Sequence, residues 1–70
     1  MSSEDKKWLK RCLDNPAKYK IYVDNDMIFV VECTAEDPDG YDGSVYTFDR
    51  FGYDFALDLL EYMGANVDYV

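Results

Sequence analysis

The chain has 70 residues, 49% of them hydrophobic and 31% charged, with a net charge of −8 at pH 7. This length allows one domain, 1–70, and the composition is that of a globular rather than a disordered chain. A domain this small buries only about 60% of its unfolded surface, so a deep cleft is not expected. No apolar run is long enough to span a bilayer, and the first residues lack the apolar stretch of a secretory signal. A cytoplasmic protein is therefore predicted, with Cys12 and Cys33 as reduced, buried side chains.

The charge is distributed unevenly along the chain. Residues 1–20 hold six Lys or Arg and three acids, which gives +3, whereas residues 21–70 hold twelve acids and only Arg50, which gives −11. Self-repulsion of this size disfavours the compact state, and solubility does not require it. The acidic segment is therefore the feature that calls for a functional explanation.

The first predicted element is a basic, amphipathic helix. Ser2 or Ser3 can cap its start, with acidic residues following in the first turn, where the helix dipole favours them. One apolar stripe recurs at helical spacing: Trp8, Leu9, Cys12 and Leu13. The helix is expected to end at Asn15, because a residue that precedes proline avoids the helical region.

Three strands are predicted after this helix. Residues 19–23 alternate in polarity, residues 24–26 form a turn, and residues 27–31 are apolar on both faces. The 27–31 strand should therefore be central and covered. A long loop, 34–44, leads to a third strand at 45–49.

A second helix is predicted at 53–63, ending before Gly64, and a short strand at 67–70 follows it. The side chains expected to face the core are Phe55, Ala56, Leu59, Leu60 and Met63. Asp54, Asp58 and Glu61 lie at i, i+4 and i+7 on the opposite arc, and Leu57 is placed beside Glu61, away from the core. The prediction is an α+β fold in the order α-β-β-β-α-β, with two helices on a three- to four-stranded, mostly antiparallel sheet.

Catalysis has little support in the sequence. The chain has no histidine, no nucleophile beside a base in a known motif, no glycine-rich phosphate loop and no zinc spacing. We therefore predict a protein that is not an enzyme and needs no cofactor. Residues 37–43 alternate carboxylates and glycines, but Tyr41 and Asp42 stand where an EF-hand needs an oxygen ligand and then glycine. That segment is predicted to be a solvated acidic turn without a metal.

The acidic surface can instead imitate nucleic acid. Duplex DNA carries one negative charge about every 1.7 Å of its axis, and the three acids of the second helix are spaced about 4–6 Å along theirs. Such carboxylates would attract a basic groove, whereas nucleic acid itself would be repelled. The loop is expected to extend this charge, with Tyr41 as its exposed contact residue. The predicted partner-binding residues are Glu36, Asp37, Asp39, Tyr41, Asp42, Asp54, Leu57, Asp58 and Glu61.

In its small size, element order, acidic surface and lack of a catalytic set, the chain resembles phage-encoded inhibitors, and among them the anti-CRISPR proteins that act as DNA mimics. The resemblance covers the whole chain but includes no shared motif. It implies that Asp54, Asp58, Glu61 and the acids of 36–42 occupy a DNA-binding groove of a CRISPR effector in the cytoplasm of the host cell. The basic first helix departs from a uniformly acidic mimic.

Two other functions stay open on the sequence. One is an immunity or antitoxin-type protein that blocks a basic nuclease site. The other is an accessory domain whose acidity has no specific target. A DNA mimic must compete with duplex DNA for its partner, whereas a protein that binds beside the groove need not.

Overall fold

The computed structural model describes residues 2–25, 27–41, 43–49 and 53–69, and for Tyr53 the backbone alone. The elements are α1 (Ser3–Asp14), β1 (Tyr19–Asp24), β2 (Met27–Glu32), β3 (Ser44–Thr47), α2 (Tyr53–Tyr62) and β4 (Val67–Tyr69). The predicted fold class and element order are confirmed. Neither described helix is long and apolar enough to cross a membrane.

The four strands form one mixed sheet in the order β3-β2-β1-β4. β1 is antiparallel to β2, β2 is antiparallel to β3, and β1 is parallel to β4. The central position predicted for β2 is therefore correct. At the β1–β2 turn Asn25 has a φ of 51°, a left-handed conformation that asparagine tolerates.

The third strand ends earlier than predicted, at Thr47 instead of residue 49. The Phe48 N–H still donates to the Ile28 carbonyl at 2.9 Å, but the Asp49 N–H turns away and donates to the Asp5 carboxylate at 3.0 Å. Because N–H groups alternate in direction along a strand, the Asp49 N–H faces away from β2, and a side chain of α1 supplies its acceptor.

α1 begins with a reciprocal cap. The Ser2 hydroxyl accepts the Asp5 N–H at 3.1 Å, and the Asp5 carboxylate accepts the Ser2 N–H at 3.4 Å. This arrangement satisfies backbone donors that a helix start leaves unpaired. The helix ends at Asp14, with Asn15 as its C-cap, in agreement with the predicted stop before Pro16.

The core lies between the two helices and one face of the sheet. Its buried residues are Leu9, Cys12, Ile21, Val23, Ile28, Val30, Phe48, Ala56 and Leu60. Trp8 and Leu13 are half-buried against this cluster, so the predicted stripe of α1 is confirmed. Cys12 is fully buried as predicted, whereas Cys33 is only half-buried, and both are free thiols.

The core face predicted for α2 is partly wrong. Ala56 and Leu60 are fully buried, but Phe55 is 63% exposed and Met63 is 58% exposed. Two helices share one face of a small sheet, so only a narrow arc of α2 is covered. Met63 also lies past the last helical turn, where Gly64, at a φ of 82°, reverses the chain.

The second face of the sheet carries the alternate side chains. Tyr22 and Asp24 of β1 lie on it, beside Phe29 and Val31 of β2, since Tyr22 pairs with Phe29 in the ladder. The loop after β2 crosses this face, and Gly40 packs against Val31. The helices and this loop therefore cover opposite faces of the sheet.

Candidate functional site

The acids of α2 lie on its solvent-facing arc, as predicted. Asp54, Asp58 and Glu61 are all exposed, because the buried Ala56 and Leu60 turn the opposite arc towards the sheet. Among the described residues, none of the three carboxylates forms an ion pair. Their charge is therefore available to a partner.

Two aromatic side chains, which the sequence analysis did not assign to the site, flank these acids. Tyr62 is 87% exposed, and with the exposed Phe55 it lines a shallow depression of about 400 Å³. Asp58 and the half-buried Leu59 complete the lining. Phe55 and Tyr62 are seven residues apart, so they lie on one side of the helix. We call Asp54, Asp58, Glu61, Phe55 and Tyr62 together the acidic helix face.

The prediction for Leu57 is partly wrong. Leu57 is half-buried and packs against the core cluster, instead of pointing away from the core. At roughly 100° per residue, Leu57 lies between Leu60 and Glu61 around α2, at the edge of the buried arc. Its packing thus accounts for an apolar residue at this position without a contact to a partner.

Most of the basic residues of the N-terminal segment are paired within the chain. Four lysines form ion pairs: Lys7 with Glu4 at 3.3 Å, Lys10 with Asp14 at 2.7 Å, Lys18 with Glu32 at 3.7 Å, and Lys20 with Asp68 at 3.1 Å. The Arg11 guanidinium lies 4.6 Å from the centroid of the Trp8 ring. Exposed pairs of this kind add little stability, but they neutralise part of the basic segment.

The loop acids differ in what they can present. Glu36 and Asp39 are exposed, whereas the Asp37 carboxylate accepts the Tyr41 N–H at 3.2 Å and so helps to hold the turn. Tyr41 is 79% exposed, which confirms the exposure predicted for it. Asp42, also predicted to bind the partner, lies outside the described residues.

The loop does not extend the charge of the helix, contrary to prediction. The Tyr22 hydroxyl donates to the Asp39 carbonyl at 2.8 Å, and the Tyr41 ring stacks on Tyr22, so the loop lies on the second face of the sheet. α2 covers the other face. The prediction placed the two acidic groups on one surface. It was wrong because the sequence positions of these residues do not show which face of the sheet each group covers.

Asp5 is a fully buried carboxylate, and its role is structural. Burial raises its pKa, but hydrogen bonds from the Tyr46 hydroxyl, the Asp49 N–H and Ser2 outweigh burial and leave the pKa below its usual value. The ionised side chain therefore joins the start of α1 to the end of β3. Sequence reasoning placed Asp5 only in the first helical turn, since Tyr46 is 41 residues away.

The described chain offers neither an activated thiol at Cys12 nor a cluster of metal ligands. Burial raises the pKa of the Cys12 thiol to about 11, so this thiol is protonated at neutral pH and unsuited to nucleophilic attack. Among the described residues, no three His, Cys, Asp or Glu side chains cluster as metal ligands would. No protein-family model matches the chain, and comparisons with curated proteins and with solved structures give no match either.

Proposed function

We propose that this protein is an inhibitor that places its acidic helix face in the basic, nucleic-acid-binding groove of another protein. The observation that carries the proposal is the arrangement on α2. Asp54, Asp58 and Glu61 are exposed on one arc without ion pairs in the described chain, beside the exposed rings of Phe55 and Tyr62.

The spacing of the carboxylates supports mimicry of a phosphate backbone. The helix fixes the three acids at about 4–6 Å intervals along its axis. A groove that binds nucleic acid presents Lys and Arg at intervals suited to phosphates, and arginine pairs with carboxylate in the same bidentate way as with phosphate. Long-range attraction between the two surfaces would also speed the encounter.

The rings of Phe55 and Tyr62 add apolar contact area to the charged surface. Exposed aromatic side chains are large and stiff, and they are frequent among the residues that dominate binding energy at interfaces. Phe55 and Tyr62 lie on either side of Asp58 in the sequence and beside it on the helix surface. They would give the complex an apolar contact that a purely ionic contact would not have.

The resemblance to anti-CRISPR DNA mimics makes a CRISPR effector the leading candidate partner. An immunity-type role, in which the same face closes a basic nuclease site, uses the same residues. The two roles differ in whether the bound protein excludes duplex DNA from the partner.

The proposal can be tested with two variants that remove the same charge from opposite faces of the sheet. The test variant is Asp58→Asn with Glu61→Gln, and the matched control is Glu36→Gln with Asp39→Asn. Asp54 is left unchanged because the helix dipole favours an acid in the first turn. Each protein, and the wild type, is used to capture partners from a host lysate, and its affinity for the captured protein is measured.

We expect the α2 variant to lose at least about tenfold in affinity, because each close charge pair contributes about 1.5 kcal/mol or more when desolvated. The control variant should bind nearly as the wild type does. The α2 variant should also fold at least as stably, since it relieves repulsion between Asp58 and Asp54 and removes an acid from the helix end. Loss of affinity in the loop control alone would contradict the proposal.

A further inference from the structure

The second face of the sheet holds a cleft that the acidic helix face does not use. The cleft has a volume of about 440 Å³, within the range of small-ligand sites. Four of its lining residues are aromatic, Tyr22, Phe29, Tyr41 and Tyr69, and two are acidic, Asp24 and Asp68. We call the site formed by Tyr22, Phe29, Tyr41, Asp24 and Asp68 the aromatic cleft.

The rings of the cleft form a row of nearly parallel planes. The centroids of Tyr22 and Phe29 are 5.6 Å apart with an angle of 29° between the ring planes. Those of Tyr22 and Tyr41 are 6.4 Å apart at 19°. The Tyr22 hydroxyl fixes the loop through the Asp39 carbonyl, so the exposed Tyr41 ring is held beside the buried Tyr22 ring.

The carboxylates reach the cleft through the regular geometry of the sheet. Asp24 is two residues after Tyr22 on β1 and so points to the same face. Asp68 of β4 is the direct neighbour of Tyr22 in the parallel ladder. Both side chains therefore stand beside the central ring.

The chain already places one of its own cations against this combination of groups. The Lys20 ammonium lies 5.2 Å from the centroid of the Tyr22 ring and 3.1 Å from the Asp68 carboxylate. Its side chain is only 18% exposed, so the ammonium is largely withdrawn from solvent by these two contacts. Lys20 shows that a cation is accommodated where an aromatic ring and a carboxylate meet here.

We infer that the aromatic cleft binds an arginine side chain of a basic peptide segment. A guanidinium stacks on aromatic planes, pairs with carboxylates and is less strongly hydrated than an ammonium. The rings and the Asp24 carboxylate, which forms no ion pair among the described residues, offer both kinds of contact, whereas Asp68 is already paired with Lys20. This site lies on the opposite face from the acidic helix face, so it goes beyond the proposed function and does not depend on it.

The test is an NMR titration of the full chain with a blocked Gly-Arg-Gly peptide, compared with the same peptide carrying citrulline, which is neutral and nearly isosteric. Saturable shifts are expected at Tyr22, Phe29 and Tyr41, with the citrulline peptide binding about tenfold more weakly. Tyr41→Leu should weaken binding of the arginine peptide severalfold, while the control Tyr62→Leu should not. Asp24→Asn, which leaves every ring in place, should also weaken it.

Equal binding of the two peptides would overturn the inference, as would shifts confined to Phe55 and Tyr62 or the absence of saturable shifts. The Asp58→Asn, Glu61→Gln variant should bind the arginine peptide as the wild type does. This comparison separates a negative result for arginine binding in the cleft from a negative result for partner binding by the acidic helix face.

Discussion

Among single residues, Asp5 differs in burial and hydrogen bonding from the exposed acids of a chain that has fifteen acids. It is fully buried and accepts hydrogen bonds from the Tyr46 hydroxyl and two backbone N–H groups, whereas the acids of α2 are exposed. A carboxylate held this way stabilises the fold only while it is ionised. The strong negative charge of the chain therefore includes at least one residue that serves structure rather than binding.

We predict that Asp5→Asn lowers the free energy of unfolding by about 1.5–3 kcal/mol at pH 7, because its hydrogen bonds are to a charged group. Urea unfolding measures the loss. The control is Glu4→Gln in the same turn, which removes the exposed ion pair with Lys7 and a favourable interaction with the helix dipole, and should change stability by less than about 1 kcal/mol.

The stability lost in Asp5→Asn should also depend on pH, and the lowered pKa of Asp5 sets the direction of that dependence. A group with a lowered pKa in the folded state stabilises the protein above its unfolded pKa of about 3.9, and this contribution fades as the pH falls towards the folded value. The difference between wild type and Asp5→Asn should therefore be constant from pH 7 to about 5 and shrink below about 4. A difference that grows on acidification would contradict an ionised Asp5.

At the scale of elements, the packing of the 33–43 loop on the sheet depends on Gly40. Its φ is 71°, and a Cβ at this position would lie 2.5 Å from a methyl carbon of Val31. Gly64 has a similar φ of 82°, but a Cβ there would have no neighbouring atom within 4 Å. The two glycines thus share the backbone requirement and differ in the space around them.

We predict that Gly40→Ala destabilises the protein by about 2–4 kcal/mol, through backbone strain together with overpacking against Val31. Gly64→Ala should lose only the strain, about 1–2 kcal/mol. Chemical denaturation of both variants provides the comparison. Equal losses would show that the loop is not packed tightly against β2 in solution.

The elements were predictable because their signals are local. Alternation identifies β1, apolar residues on both faces identify β2 as the central strand, and Gly64 marks the end of α2. What failed was the assignment of helix residues to faces: Phe55 is exposed instead of buried in the core, and Leu57 packs on the core instead of lying outside it. That assignment depends on how wide an arc of α2 the four-stranded sheet covers. The spacing of apolar residues within 53–63 does not show this width.

At the scale of the whole molecule, the sheet separates two negative surfaces. The acidic helix face lies on one side and the loop with the aromatic cleft on the other, while four lysines of the N-terminal segment pair with acids of the chain. The sequence indicated the excess of negative charge but not this division, because it depends on strand order. A single flat surface of a partner can therefore contact only one of these two negative surfaces.

The central claim is that the acidic helix face takes the place of nucleic acid in a partner's groove. It is tested most directly by adding the protein to the captured partner bound to fluorescent duplex DNA and following the anisotropy as the DNA is released. The wild type should displace the duplex completely, and the Asp58→Asn, Glu61→Gln variant should need at least about tenfold more protein. In the absence of DNA, the affinity of the wild type for the partner should fall as salt rises. A ternary complex in which partner, duplex and this protein remain bound together would contradict the claim.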